Sequence, residues 1–245
     1  MAGFFLFGKT DKGLRRKKNE DTFLVNEEKG FCLVADGIGG AAEGDIASQI
    51  FARTAQEVFS RKQDTDNMES ELVQKTFQIA NDSILRYAEN NSARKGMGCT
   101  AELLAFSSNR FVLGHMGDSR AYRLRRGKLK QLTTDHSLVQ EQLDQGMITK
   151  AEATHHSFKN VILRAVGIKK NPSLDILRGN IISGDLFLLC SDGLTDMIED
   201  SLIKKHMDSR TGIEEKVENL IHEANANGGK DNISVVMAEI LSPSI

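Results

Sequence analysis

The amino-acid sequence predicts an α+β fold, on three observations. Two long stretches carry the 3.6-residue period of amphipathic helices. Four short apolar runs then follow one another with gaps too short for a crossover helix, and a last helical stretch precedes a terminal apolar run. In chain order, Gly3–Thr10, with its bulky apolar interior, reads as an N-terminal strand, and Phe31–Ala35 as the next. Ile46, Ile50, Phe51, Thr54, Ala55 and Val58 form one helical stripe; Leu72, Thr76, Ala80, Ile84, Tyr87 and Ala88 form another. Cys99–Phe106, Phe111–Met116, Ala121–Arg125 and Leu129–Thr133, with turn-like segments such as Ser107-Ser108-Asn109 between them, predict an antiparallel meander. Capping boxes at Ser137–Gln140 and Thr149–Glu152 predict two short helices. A third box, Thr211–Glu214, opens a helix through Val217, Leu220, Ile221 and Ala224. Leu186–Cys190 and Ile233–Met237 complete the strands.

A length of 245 residues suits one large domain, and no linker composition or repeat divides it. Lys plus Arg (32) against Asp plus Glu (34) leaves −2, which argues against a general nucleic-acid or anionic-membrane binder. Cys32, Cys99 and Cys190 lie far apart inside apolar runs, as buried thiols of a reducing compartment do. The start, Met1–Lys9, lacks a basic n-region, and no run nears the ~18 apolar residues of a membrane span. The expectation is a cytoplasmic monomer.

The strongest local signal is aspartate at the ends of apolar runs. Phe31–Ala35 runs into Asp36-Gly37, Phe111–Met116 into Gly117-Asp118, Leu186–Cys190 into Ser191-Asp192, and Asp231-Asn232 opens the last run. Each acid taken alone is also a turn former. Gathered at the edge of a core, they would repel one another unless cations held them. Oxygen donors without a Cys/His framework point to Mg²⁺ or Mn²⁺ rather than zinc.

Other patterns mislead. Gly3–Thr10 satisfies the P-loop pattern, but no strand precedes it and its loop would be four bulky apolar residues. Gly37-Ile38-Gly39-Gly40-Ala41-Ala42 resembles a dinucleotide fingerprint, yet Asp36 would oppose a pyrophosphate. Asp64–Met68 mimics a calcium loop and reads as a solvated segment. Arg15-Arg16-Lys17-Lys18 is a solvated face or the source of a phosphate ligand. His115, His136, His155 and His156 show no evident partner and are expected to be structural or surface residues.

Five motifs occur in order: Thr10-Asp-x-Gly13 with Arg16-x-x-Asn19-Glu20-Asp21, Val34-Ala-Asp36-Gly37-x-Gly39-Gly40, Gly117-Asp118-Ser119-Arg120-Ala121-Tyr122, Ser191-Asp192-Gly193-Leu194-x-Asp196, and Gly229-x-Asp231-Asn232. Together they resemble the metal-dependent Ser/Thr protein phosphatases of the PPM (type 2C) family in their compact bacterial form, over about Thr10 to Ile240. The resemblance implies a four-layer αββα sandwich, two antiparallel sheets between helix pairs, with residues 134–171 as an inserted flap. It implies that Asp36 bridges two Mg²⁺ or Mn²⁺ ions, that the Gly37 carbonyl ligates one, and that Asp192 and Asp231 hold the other. Glu20, with Asp21 beside it, would act nearby; Asp118, with Asp192 and Asp196, matches a third, weaker metal site. Arg16 matches the phosphate-binding arginine. The implied reaction is hydrolysis of phosphoserine and phosphothreonine by a metal-bridging water, opposing a Ser/Thr kinase. Two positions where relatives carry histidine hold Ile38 and Ala41 here. Two other classes stay open at this point: a silent phosphoprotein-binding module, which predicts a lost acid, and a nucleotide-binding oxidoreductase.

Overall fold

A computed structural model describes residues 3–39, 43–61, 68–89, 91, 94–107, 109–154 and 156–242. Two five-stranded antiparallel sheets form its centre. Sheet I is ordered β1 (Phe4–Asp11), β12 (Ile233–Ile240), β11 (Leu186–Cys190), β8 (Arg120–Arg125), β9 (Lys128–Gln131). Sheet II is ordered β10 (Asp175–Asn180), β7 (Arg110–Met116), β6 (Ala101–Phe106), β3 (Phe31–Ala35), β2 (Thr22–Asn26). A short ribbon pairs β4 (Gly37–Ile38) with β5 (Gly98–Cys99). Helices α1 (Gly44–Ser60) and α2 (Glu69–Glu89) cover sheet II, while α5 (Asp192–Thr195), α6 (Asp200–Met207) and α7 (Ile213–Ala226) cover sheet I. Helices α3 (Leu138–Asp144) and α4 (Lys150–Thr154) lie in the segment joining β9 to β10.

The uninterrupted apolar runs have a simple cause: the middle strands are buried on both faces. In β3, Phe31, Leu33 and Ala35 pack under the helices, whereas Cys32 and Val34 face the other sheet. In β11, Leu186, Leu188 and Cys190 meet α5–α7, whereas Phe187 and Leu189 point between the sheets. Aromatic rings join the layers. Phe31 stacks on Phe59 of α1, Phe51 meets Phe77 edge-on between α1 and α2, and Phe111 meets Phe187 between the sheets. Three apolar layers between four structural ones make the expected αββα sandwich.

Some local expectations fail. The meander breaks between β7 and β8: β6–β7 and β8–β9 are hairpins, but Gly117-Asp118-Ser119 carries the chain from sheet II to sheet I. Gly117 has φ 121°, and a Cβ there would lie 2.5 Å from Cβ of Thr100, so glycine alone permits the crossing. Cys99–Phe106 is split at Thr100, whose N–H donates to the Asp36 carbonyl at 2.9 Å. The Thr211 box does not form; Gly212 takes the N-cap and the Thr211 hydroxyl pairs with that of Ser209. Ser137 and Thr149 do cap α3 and α4. Strands β2 and β10 and helices α5 and α6 carry patterns too weak to be legible in the sequence. Gly40, Ala41, Asp64–Asn67 and His155 lie outside the described residues.

Candidate active site

Strand direction gathers the acids. β3 and β7 both pair antiparallel with β6, so their C-terminal ends, carrying Asp36 and Asp118, lie at one end of sheet II. β11 and β12 are antiparallel, which sets Asp192 beside Asp231. Cys190 pairs with Arg120 within sheet I, so Asp192 and Asp118, each two residues further out, come together at the end of that pair. Thr22 pairs with Ala35, which places Asp21 against Asp36.

Close backbone approaches fix these positions. A Cβ on Gly193 would lie 1.9 Å from the Asn232 carbonyl, so only glycine lets α5 seat Asp192 against Asp231. A Cβ on Gly37 would lie 2.3 Å from the Gly44 carbonyl, so the Asp36 turn rests on the start of α1. Gly37 N–H donates to the Glu20 carbonyl at 3.2 Å. Asn232, buried, clamps the loop after β1: its amide nitrogen donates to the carbonyls of Lys12 and Lys18, and its oxygen accepts from Glu20 N–H. Ser191 donates to Asp21 at 2.8 Å. Sequence reasoning quoted Asn232 and Ser191 only as parts of motifs; a polar side chain between an acid and an apolar run was the available signal.

The centre carries uncompensated charge. Burial raises the Asp36 and Asp192 pKa values well above the usual carboxylate range, and the neighbouring aspartates push both further. Burial lifts Asp21 to about 6, against hydrogen bonds from Ser234 and Ser191 that lower it. Asp118 rises to about 7 through burial and the charge of Asp135. Glu20 is raised by burial and by Asp45. One oxygen each of Asp21, Asp118 and Asp192 is buried without a hydrogen-bond partner among the described residues. The basic group in contact is Arg16, half exposed on the rim, whose Nη2 donates to Asp231 at 2.6 Å. That bond raises the guanidinium pKa.

Orphaned carboxylate oxygens of this kind fit hard divalent cations. Among the described residues, no three Asp, Glu, His or Cys side chains close into a ready-made cage. From Asp118 and Asp192 a cleft of about 850 Å³ extends between the 134–171 segment and α5–α6. Asp196 stands on its wall, exposed and paired with Lys159 at 2.5 Å, and its charge adds to the rise of the Asp118 and Asp192 pKa values. Ile38 supplies no proton donor. His115 and His136 have partners after all, Glu102 and Asp175; His156 is half-buried beside Phe158.

Known proteins resemble the chain along its whole length. Serine/threonine phosphatase stp of Listeria innocua is 37% identical over 238 residues, 94% of each chain. Serine/threonine protein phosphatase PstP of Mycobacterium tuberculosis is 35% identical over 95% of this chain and 44% of its own. The PstP catalytic domain solved with two manganese ions superposes with a TM-score of 0.90 at 31% identity, covering 99% of this chain and 100% of that one. Stp1 of Staphylococcus aureus superposes equally well, TM-score 0.90 at 30% identity, covering 99% and 96%. Residues 14–237 match the Protein phosphatase 2C family model, and the chain belongs to that family.

Proposed function

We infer that the chain is a metal-dependent protein phosphatase that hydrolyses phosphoserine and phosphothreonine in protein substrates. One observation carries the reading: among the described residues, aspartates from both sheets converge with buried, unpartnered oxygens beside the rim arginine Arg16. Asp36 and the Gly37 carbonyl would hold one Mg²⁺ or Mn²⁺ ion, and Asp36, Asp192 and Asp231 a second, with Glu20 and Asp21 beside them. Asp118, with Asp192 and Asp196, would hold a third, weaker ion. When bound, such ions neutralise phosphate oxygens and acidify water. Arg16 offers its planar fork to two phosphate oxygens, orienting the ester in a way a lysine could not. No side chain serves as a covalent nucleophile. Cys32, Cys99 and Cys190 are buried, with thiol pKa values pushed up by burial, and Ser191 is spent on Asp21. With Ile38 offering no proton two residues after Asp36, the leaving alkoxide would take its proton from water or another donor, and Asp118 would position such a water.

The rest of the reading is a single catalytic domain with a flap at 134–171, monomeric and cytoplasmic, opposing a Ser/Thr kinase, without nucleic acid or membrane as partner. Buried free thiols support a reducing compartment, and among the described residues no helix is long and apolar enough to cross a membrane. Phosphate release from a phosphothreonine peptide tests the activity. Release should require Mn²⁺, stop on chelation and resume on re-addition; turnover indifferent to chelation would overturn the reading.

A further inference from the structure

Glu102 and His115 face each other across β6 and β7, and both side chains are 0% exposed. The His115 ring bonds Glu102 through Nδ1 and the Thr134 carbonyl through Nε2, at 2.8 Å. The Thr134 carbonyl can only accept, so Nε2 carries a proton; a second proton lies between Nδ1 and Glu102, whose own pKa burial raises to about 7, and with that carboxylate ionised the buried ring is doubly protonated. Burial would lower the His115 pKa, yet Glu102 more than offsets this and holds it at about 9. His136 stacks on His115 with centroids 4.4 Å apart. Its Nδ1 accepts from Gly117 N–H at 3.1 Å, its N–H donates to the Gly117 carbonyl at 2.7 Å, and its own carbonyl accepts from Leu163 N–H at 2.7 Å. To accept at Nδ1 the ring must be neutral, with Nε2–H directed to Asp175. Burial and the His115 charge lower its pKa to about 4, in keeping with that form.

The start of the flap, Thr134–His136, and Leu163 further along it thus meet the Gly117-Asp118 crossing on one buried, charged support. Packing does not ask for charge there. The pair lies on the face of sheet II turned towards sheet I, in line with Leu104, Phe106, Phe111 and Leu113, where apolar residues of similar volume commonly serve stability as well or better. What an apolar pair could not supply is direction: a donor aimed at Thr134 and a fixed plane for His136 to rest on.

We propose that Glu102 and His115 are a positioning pair that fixes the root of the flap and, through His136, the turn that aims Asp118. The proposal rests on the phosphatase reading for its catalytic consequence, though not for its structural one. The test uses the full chain with Glu102 and His115 both changed to Leu, and separately Glu102→Gln, which keeps volume but removes the charge. Melting temperature and the ¹H–¹⁵N resonance of the Gly117 amide are measured on metal-free protein, and kcat and KM on a phosphothreonine peptide with Mn²⁺. The double variant should melt at or above the wild-type temperature, show a displaced Gly117 amide, and lose at least fivefold in kcat with KM within about twofold. Glu102→Gln should displace the same amide and lower kcat in the same direction. An unmoved Gly117 amide or a wild-type kcat in the folded variants overturns the pair's role. A wild-type chain with no Mn²⁺-dependent turnover overturns the phosphatase reading instead, and the Gly117 amide still decides the role of the pair.

Discussion

The fold buries carboxylates in two places and treats them in opposite ways. In the middle of sheet II, Glu102 meets an imidazolium, and the pair closes its own charge within two adjacent strands. At the end of both sheets, Asp21, Asp36, Asp118, Asp192 and Asp231 come together, and among the described residues Arg16 is the basic side chain bonded to them; an unpartnered oxygen occurs in both places, on Glu102 as on Asp21, Asp118 and Asp192, so net charge is what differs. Asp231 apart, whose side chain is 31% exposed, burial is severe in both, so desolvation does not separate them. Compensation does. A charge that the chain balances itself is a building part, while a net charge that it gathers and leaves open is a demand for something from outside.

The contrast can be broken most severely at Asp192. Asp192→Asn should lower kcat/KM on a phosphopeptide by on the order of a thousandfold, about 4 kcal/mol, while the metal-free variant unfolds at higher urea than wild type because one repelling charge is gone. Asp118→Ala sharpens it: kcat should fall about a hundredfold, with tight Mn²⁺ binding retained on calorimetry, because this acid belongs to the catalytic margin of the cluster. Arg16 tests the rim. Arg16→Ala should remove about 1.5–3 kcal/mol from kcat/KM, the scale of a charge-assisted hydrogen bond; Lys17→Ala, on the same exposed stretch, should leave it unchanged. The smallest effect belongs to the compensated side. His136 has its pKa lowered to about 4 by burial and the His115 charge, against about 6.5 in an unfolded chain. Its contribution is therefore complete above about 6.5 and is lost as pH falls towards 4. Urea unfolding across that window should show wild type losing stability relative to His136→Gln.

Much of this was legible in the residues. Strands buried on both faces read as unbroken apolar runs, and acids attached to those runs could only sit at the edge of the core. Which acids meet was harder to see, because it depends on pairing: Cys190 with Arg120 and Thr22 with Ala35 bring distant motifs together. The three-residue gap at Gly117 fits a hairpin as well as a crossing between sheets, and contacts with Thr100 and His136 decide the matter. Glu102 reads as an ordinary polar strand position, since its partner stands on the neighbouring strand. Thr211 has a capping-box pattern, but a nearby serine hydroxyl takes its bond.

Calorimetric titration of the metal-free chain with Mn²⁺, set beside Asp192→Asn and Glu102→Gln, tests the distinction between open and closed charge most directly. Wild type and Glu102→Gln should each bind tight ions with similar affinity and stoichiometry, and Asp192→Asn should lose at least one of them. Unchanged binding by Asp192→Asn, or loss of the tight ions in Glu102→Gln, would contradict the account.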